Sequence, residues 1–176
     1  MVAGIISGLI SSAFLYVVLF RIKPKVKISD SICRDPKEGK FRVKVVNKTR
    51  ANLIDVKYSL HVCYKTDDDI KDLEEIAPTK TRLEFISAYP INSNSCDYAI
   101  RLSFEPSSTF QADEHTYYIF TFFAKHSISG TPLFVRKEYS AKDIKCGQFE
   151  TSNSTKVLLE PCHSAYANCG MKCRRD

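Results

Sequence analysis

The sequence predicts a mainly β protein, an antiparallel β-sandwich preceded by one N-terminal transmembrane helix. Three observations lead to this fold class. The first twenty residues carry no charged side chain, at least six later stretches alternate apolar with polar residues, and helical periodicity is almost absent from those stretches. Short strands separated by polar turns are typical of a sandwich. The 176 residues fit one such domain with a small appendage, which excludes a large multidomain enzyme.

Residues 1–20 are predicted to form the transmembrane helix. The nineteen residues from Val2 to Phe20 are uncharged and would rise about 28 Å as an α-helix, close to the roughly 30 Å hydrocarbon core of a bilayer. The alternative is a cleaved signal peptide. Such a peptide begins with Lys or Arg, whereas here the basic residues follow the apolar stretch. A membrane anchor is therefore the prediction.

The helix also carries a face of small residues, which lets helices approach closely in lipid. This face consists of Gly4, Ser7, Gly8 and Ser11. We therefore expect helix association and a homo-oligomer, such as a tetramer. The alternative is that these residues only reflect the small-residue content common to membrane helices. No ionisable residue lies within the helix, so the sequence predicts no proton relay there.

A basic juxtamembrane linker, residues 21–40, follows the helix. Residues 21–50 hold eleven Lys or Arg against three Asp or Glu, a surplus of +8, and the rest of the chain sums to −2. The positive-inside rule then places the N-terminus outside and the C-terminal domain in the cytoplasm. A nucleic-acid-binding protein would spread its basic residues over a binding face, so no nucleic-acid partner is predicted.

Four cations follow the helix directly and would lie at the membrane surface. They are Arg21, Lys23, Lys25 and Lys27. Each such cation near an anionic surface contributes on the order of 1 kcal/mol, so we expect these residues to bind lipid headgroups. The alternative is that they only set the orientation of the helix. A membrane with anionic lipids is thus a predicted partner.

The β-sandwich domain is predicted over residues 41–150. β-branched and aromatic residues recur with a period near two in six segments. These candidate strands are 41–46, 53–64, 82–87, 97–104, 116–125 and 133–139. The charged stretch 67–75 is predicted to be a short helix or a solvated loop. The continuous apolar character of the aromatic segment 116–125 predicts a central strand buried on both faces. Because no basic residues interleave with its rings, core packing is favoured over a base-stacking platform.

The C-terminal tail, residues 151–176, contains three of the seven cysteines. Because the total is odd, free thiols in a reducing compartment are expected. Four tail residues are soft metal ligands: Cys162, His163, Cys169 and Cys173. Their spacing matches no common zinc module, so the sequence predicts neither a metal nor another cofactor. The sequons at Asn47 and Asn153 would be used only in a secretory lumen.

Catalytic motifs are absent from the sequence. The four histidines belong to no nucleophile, zinc or phosphate-binding motif, so the protein is predicted not to be an enzyme. These residues are His61, His115, His126 and His163. His61 lies in a predicted strand, where a surface role or a hydrogen-bonded buried role is favoured over a catalytic one.

The order of these features resembles the cytoplasmic half of the inward-rectifier potassium channels. In that family a membrane helix exits through a basic, proline-containing segment, as at residues 21–25, and a glycine-containing turn, as at 35–40, leads into a β-sandwich. Residues 118–150 are similar to the family's later strands in four short matches. These are Gly130 with Thr131, residues 136–139, Asp143 with Ile144, and Gly147 with Phe149. The resemblance extends over about residues 19–150.

The resemblance implies an immunoglobulin-like sandwich, tetrameric assembly and lipid binding by the four juxtamembrane cations. The chain has one predicted membrane helix and no sequence like the backbone filter of potassium channels, so it cannot be a complete channel by itself. We therefore expect a single-pass membrane protein whose domain oligomerises, binds or senses a partner, and forms or regulates an ion-conducting pore. A channel subunit is one candidate partner. The alternative function is a membrane-anchored adhesion or scaffold protein with no transport role.

Overall fold

The computed structural model describes residues 2–21, 23–65, 71–90, 97–105, 116–151 and 154–159. Helix α1 (Val2–Arg21) comes first, and strands form most of the rest. In chain order the strands are β1 (Val26–Ile28), β2 (Ile32–Arg34), β3 (Phe41–Asn47), β4 (Leu53–Lys65), β5 (Lys71–Ile76), β6 (Leu83–Ile86), β7 (Ala99–Phe104), β8 (Thr116–His126), β9 (Pro132–Ser140), β10 (Ile144–Phe149) and β11 (Val157–Leu159). A short 3₁₀ helix, Ala141–Asp143, joins β9 to β10. The predicted mainly β class is confirmed.

The first sheet is built around β3. β7 pairs with one side of β3, and β1 and β2 pair one after the other with its second side. β10 joins β2 in parallel, and β11 pairs antiparallel with β10. The sheet is therefore mixed, and its parallel pair brings together strands from the two ends of the domain.

The second sheet is built around β4 and β8, which pair antiparallel over most of their length. β9 pairs with the outer side of β8. β5 and β6 share the other side of β4, along its second and first halves respectively. A bulge between Ile54 and Lys57 interrupts the pairing of β4 with β8 within the half that β6 joins, and Asp55 there has a φ of 53°. Such a bulge bends the strand locally and increases its twist.

A continuous apolar core lies between the two sheets. Aromatic rings from opposite sheets contact each other in it: Tyr58 with Phe104 at 5.6 Å between centroids, Phe104 with Phe120 at 6.3 Å, and Phe41 with Tyr118 at 6.2 Å. Each ring of this size contributes about 1.5–3 kcal/mol on full burial. The two sheets therefore pack face to face as a sandwich.

The six candidate strands are confirmed as β3, β4, β6, β7, β8 and β9, with small differences at their ends. β8 is central, between β4 and β9, but only one of its faces is fully buried. Its other face is half-buried, because the alternate residues point to the outside of the second sheet. The prediction of burial on both faces is therefore wrong.

The structure contains strands that the sequence did not predict. Residues 71–76 form β5 rather than a helix or a loop, since their backbone pairs with β4 although the sequence KDLEEI is rich in charge. Strands β1 and β2 lie inside the stretch interpreted as a linker, and β11 lies inside the predicted tail. Each of these three has only three residues, too few to show an alternating pattern.

Helix α1 presents its side chains to the surroundings rather than to the domain. All side chains that are described, from residue 6 to residue 17, are exposed. Leu9 is 67% exposed and Phe14 is 70% exposed. No helix among the described residues is long and apolar enough to cross a membrane.

Candidate functional site

One end of the sandwich receives the chain from α1, and we call it the proximal end. It consists of the loop 47–52 between β3 and β4, residues 87–89 after β6, and the turn 127–131 between β8 and β9. Backbone hydrogen bonds join these three segments: the amide of Tyr89 donates to the Thr49 carbonyl at 2.8 Å, and the amide of Ser127 donates to the Asn52 carbonyl at 3.0 Å. The proximal end is therefore one connected surface.

The exit segment, residues 23–28, is bound to this surface. The Lys25 amide donates to Thr49 Oγ1 at 2.7 Å, and the Thr49 hydroxyl donates to the Lys25 carbonyl at 3.2 Å. The Lys48 amide donates to the same carbonyl at 2.8 Å. Pro24 is buried beside these contacts. Because both polar groups of Lys25 are engaged, this part of the chain is fixed to the domain rather than being a free tether.

Asn47 holds the loop from inside. Its side-chain amide donates to the carbonyls of Ala51 and Ser87, at 2.9 Å each, and its Oδ1 accepts from the Thr49 amide at 2.8 Å. The residue is fully buried. Glycosylation needs a free side-chain nitrogen, so the first sequon is blocked in the folded domain. The second sequon residue, Asn153, lies outside the described residues.

The proximal end presents exposed basic side chains, which we call the proximal cations. They are Lys23, Lys25, Lys48 and Arg50. The Lys48 ammonium lies 4.7 Å from the centre of the Tyr89 ring, within the range of a cation–π contact. Asp97 is an exposed acidic residue at this end, next to Tyr98, whose carbonyl accepts from the Asn47 amide at 2.8 Å.

The predicted headgroup-binding residues are only partly brought together. Lys23 and Lys25 belong to the proximal end, whereas Lys27 lies on β1, exposed on the first sheet. Lys27 also helps to lower the pKa of Asp30, although the hydrogen bond and charge of Lys137 contribute more. The side chain of Arg21 lies outside the described part of the chain.

Sequence reasoning missed Lys48 and Arg50. Both lie in the turn between β3 and β4, which the sequence identified only as polar. Their charge was visible, but the hydrogen bonds that bring this turn to the exit segment join residues 24 positions apart. A contact of that separation leaves no local pattern.

The predicted helix-association face is exposed where it is described. Ser7 and Ser11 point away from the domain, and Ser12 Oγ donates to the Gly8 carbonyl at 2.9 Å. A Cβ placed on Gly8 would meet no atom within 4 Å. The surroundings of Gly4 lie outside what the structure describes. The accessible part of this face is therefore open to a partner.

A second polar feature binds main-chain carbonyls at the end of β10 and in the residues that follow it. Lys44 is 1% exposed, and its ammonium donates to the carbonyls of Glu150 at 2.6 Å and Ser154 at 2.7 Å. Beside it, the Arg101 guanidinium donates to the Phe149 carbonyl at 3.0 Å, and the Cys33 thiol donates to the Gly147 carbonyl at 2.8 Å. We call these three donors the carbonyl clamp.

The cysteines differ in state. Cys33 and Cys63 are buried and form no disulfide, as expected. Cys146 is disulfide-bonded, and its partner lies outside the described residues, so the expectation of free thiols throughout is wrong. The weak metal candidates, Cys162, His163, Cys169 and Cys173, also lie outside them. In the described segments no three ligand-type residues are grouped closely enough to hold a metal ion.

The two histidines that the structure describes, His61 and His126, are hydrogen-bonded within the sandwich. His61 lies on β4, and its Nε2 is 3.0 Å from Ser59 Oγ, which in turn is 2.6 Å from Thr121 Oγ1. This row of polar groups lies on a sheet surface. His126 is buried, its Nδ1 accepts from the Ser129 amide at 3.1 Å, and burial lowers its pKa.

No protein-family model matches this chain, and no curated protein matches its sequence.

Proposed function

We propose that this protein is a single-pass membrane protein in which α1 anchors the β-sandwich against the bilayer, where the domain oligomerises and binds a partner. The observation that carries this proposal is the double hydrogen bond between Lys25 and Thr49, with distances of 2.7 and 3.2 Å. It leaves almost no free chain between the helix and the domain. The domain is therefore held next to whatever surrounds α1.

The sequence of α1 supports a bilayer as its surroundings. Residues 2–20 include no charged side chain. Large apolar side chains point outward along the helix, with Ile10 64% exposed and Leu15 58% exposed. Burial of such side chains contributes about 1.5–3 kcal/mol each, so the helix gains free energy from an apolar environment that the domain does not supply.

The basic residues after the helix support a cytoplasmic domain. Positive charges concentrate on the cytoplasmic side of membrane helices, and here they follow α1. Protease digestion of sealed inside-out and right-side-out vesicles tests this orientation. We expect the domain to be cleaved only in inside-out vesicles, with detergent-opened vesicles as the control. Cleavage only in right-side-out vesicles would reverse the topology.

Assembly is proposed to use the exposed small face of α1, through Ser7, Gly8 and Ser11. An assembled bundle lined by serines could conduct ions, and this pore is the finer part of the proposal. An immunoglobulin-like, inward-rectifier-like organisation of the sandwich, with tetrameric assembly or a channel subunit as partner, belongs to the same proposal. The mass of the detergent-solubilised complex tests it, since a monomer would remove both the pore and the co-assembly.

A second candidate function is favoured by the disulfide at Cys146. Cytosolic reductants keep most thiols reduced, so a stable disulfide suits an oxidising compartment and a membrane-anchored adhesion or scaffold protein outside the cytoplasm. A membrane-impermeant maleimide applied to denatured protein with and without prior reduction counts the oxidised cysteines. A disulfide in protein isolated with thiols trapped would favour this second function, and its absence would favour the first.

A further inference from the structure

We propose that the proximal end binds the phosphate groups of anionic lipids through Lys48 and Arg50, together with Lys23 and Lys25. This inference rests on the proposed function, because α1 must hold the domain at a bilayer for the contact to form. Lys48 and Arg50 lie in a loop that is distant in sequence from Lys23 and Lys25. The proposal adds these two residues to the lipid-binding surface predicted for the juxtamembrane lysines.

The loop that carries Lys48 and Arg50 lies a short distance from the end of α1. From Arg21, the last residue of α1, to Lys25 the chain spans four residues, which reach at most about 14 Å when extended. The hydrogen bonds of Lys25 to Thr49 and of the Lys48 amide to Lys25 place the loop 47–50 at the end of that span. If α1 ends at the membrane surface, long basic side chains on this loop reach the headgroup layer.

The loop that carries Lys48 and Arg50 is already held in one conformation before any lipid binds. The buried side chain of Asn47 fixes the loop through three hydrogen bonds. The Tyr89 ring lies against the Lys48 ammonium. Binding therefore costs little ordering of the backbone, which leaves more of the electrostatic attraction for affinity. Arg50 is exposed, and its planar guanidinium can donate two parallel hydrogen bonds to a phosphate.

Exposed cations outnumber exposed acidic residues at the proximal end. Four exposed cations share this end with the exposed acid Asp97. Asp55 and Glu84 lie nearby on β4 and β6, and Asp55 already pairs with Lys125 at 2.9 Å and with Arg82 at 3.7 Å. The proximal end thus keeps a positive surplus. Because its four cations are exposed rather than enclosed, they suit a surface of many headgroups better than a single small anion.

Native mass spectrometry of the detergent-solubilised full chain tests this proposal by counting bound phosphatidylglycerol and phosphatidylcholine. The test variant is Lys48→Gln with Arg50→Gln. The control variant is Lys37→Gln with Lys142→Gln, which removes the same charge from exposed sites in the β2–β3 turn and the 3₁₀ helix, at the opposite end of the sandwich. Thermal unfolding must be unchanged in both variants.

We expect the wild-type chain to prefer phosphatidylglycerol, and the test variant to lose about fivefold in affinity for each charge removed, whereas the control keeps the wild-type affinity. Equal losses in both variants would show a general charge effect and overturn the proposal, as would no loss in the test variant. Displacement of the lipid by millimolar inorganic phosphate would assign the site to a free anion instead. Recovery of the wild-type chain from cell membranes is a separate readout: its failure would remove the membrane anchor itself.

Discussion

Lys44 shows how one residue can determine the path of a segment. It lies on β3, and its partner across the sheet, Arg101, lies on β7. Both side chains bind main-chain carbonyls at the end of β10 and just after it, so they add to the pairing of β10 with β11. Hydrogen bonds to charged groups contribute about 1.5–3 kcal/mol, more than neutral ones, which suits a buried ammonium.

We expect Lys44→Met to lower the free energy of unfolding by about 2–3 kcal/mol, because the carbonyls of Glu150 and Ser154 lose their donor while burial is kept. Denaturant unfolding followed by fluorescence measures the loss. Lys145→Met is the matched control, since Lys145 is exposed on β10. A Lys44 variant as stable as the control would mean that the clamp contributes nothing to the fold.

Asp35 makes the stability of the folded domain depend on pH in the acid range. Burial by itself would raise the pKa of this carboxyl, but the amides of Lys37 and Glu38 and the nearby Arg42 guanidinium outweigh burial and lower the pKa below its ordinary value of 3.8. The contact with Arg42 is 2.7 Å. A lowered folded-state pKa stabilises the protein above the unfolded value, and this stabilisation is lost as pH falls through the folded pKa.

We therefore expect Asp35→Asn to destabilise the domain at neutral pH and to flatten the fall in stability below about pH 4. Urea unfolding at a series of pH values from neutral to acid shows both effects. Glu84→Gln, at an exposed position on β6, serves as the comparison. An Asp35→Asn curve that stays parallel to the wild-type curve would contradict the assignment.

At the scale of elements, the described side chains of α1 are exposed and make room for substitution. Gly8 has free space around it, so a larger side chain there leaves the isolated chain undisturbed. The same change would obstruct a partner helix packed against this face. A substitution at Gly8 therefore separates assembly from folding.

We expect Gly8→Leu to lower the oligomer mass in detergent and to abolish any conductance of bilayers that contain the protein. Light scattering gives the mass, and planar-bilayer recording gives the conductance. Leu9→Ile, one position along the exposed helix, is the control. An unchanged oligomer in the Gly8 variant would place the assembly surface elsewhere.

The edge strand β9 shows that a sequence pattern can predict a strand without predicting its long-range contacts. Its alternation was sufficient to predict the strand, but an alternating pattern does not show which distant residue the inward side chain of Lys137 contacts. In the structure this lysine reaches Asp30 at 2.7 Å. An inward-pointing charge on an edge strand discourages pairing with another chain, so β9 is protected from edge-to-edge aggregation.

Predictions from the sequence were correct where a pattern is local and wrong where a partner is distant. β3, β4 and β8 carry β-branched and aromatic residues at alternate positions, so their existence could be predicted. β5 could not, because its pairing with β4 overrides a charged sequence. The exit lysines were identified from their position after α1, but Lys48 and Arg50 join them only through the folded loop.

At the scale of the whole molecule, the connection between α1 and the domain is short and hydrogen-bonded. The Thr49 hydroxyl makes two of the hydrogen bonds that hold this connection: it accepts from the Lys25 amide and donates to the Lys25 carbonyl. The link between α1 and the domain therefore depends in part on one side chain far from the helix in sequence.

We expect Thr49→Val to increase the hydrogen-exchange rate of the Lys25 amide about fivefold, because one hydrogen bond of about 1 kcal/mol is lost while the amides of β3 keep their protection. Exchange measured by mass spectrometry on wild-type and variant chains tests this. Thr131→Val, in the turn between β8 and β9, is the control. Unchanged exchange at Lys25 would mean that the exit segment is held by other contacts.

The parallel pairing of β2 with β10 also has a consequence for synthesis of the protein. Cys33 pairs with Lys145, so the first sheet is incomplete until some 110 further residues have left the ribosome. At roughly 5–20 residues per second, this takes on the order of 10 s. Helix α1 emerges long before then. The two ends of the first sheet are therefore the last parts of the domain to meet, long after the whole of α1 has been made.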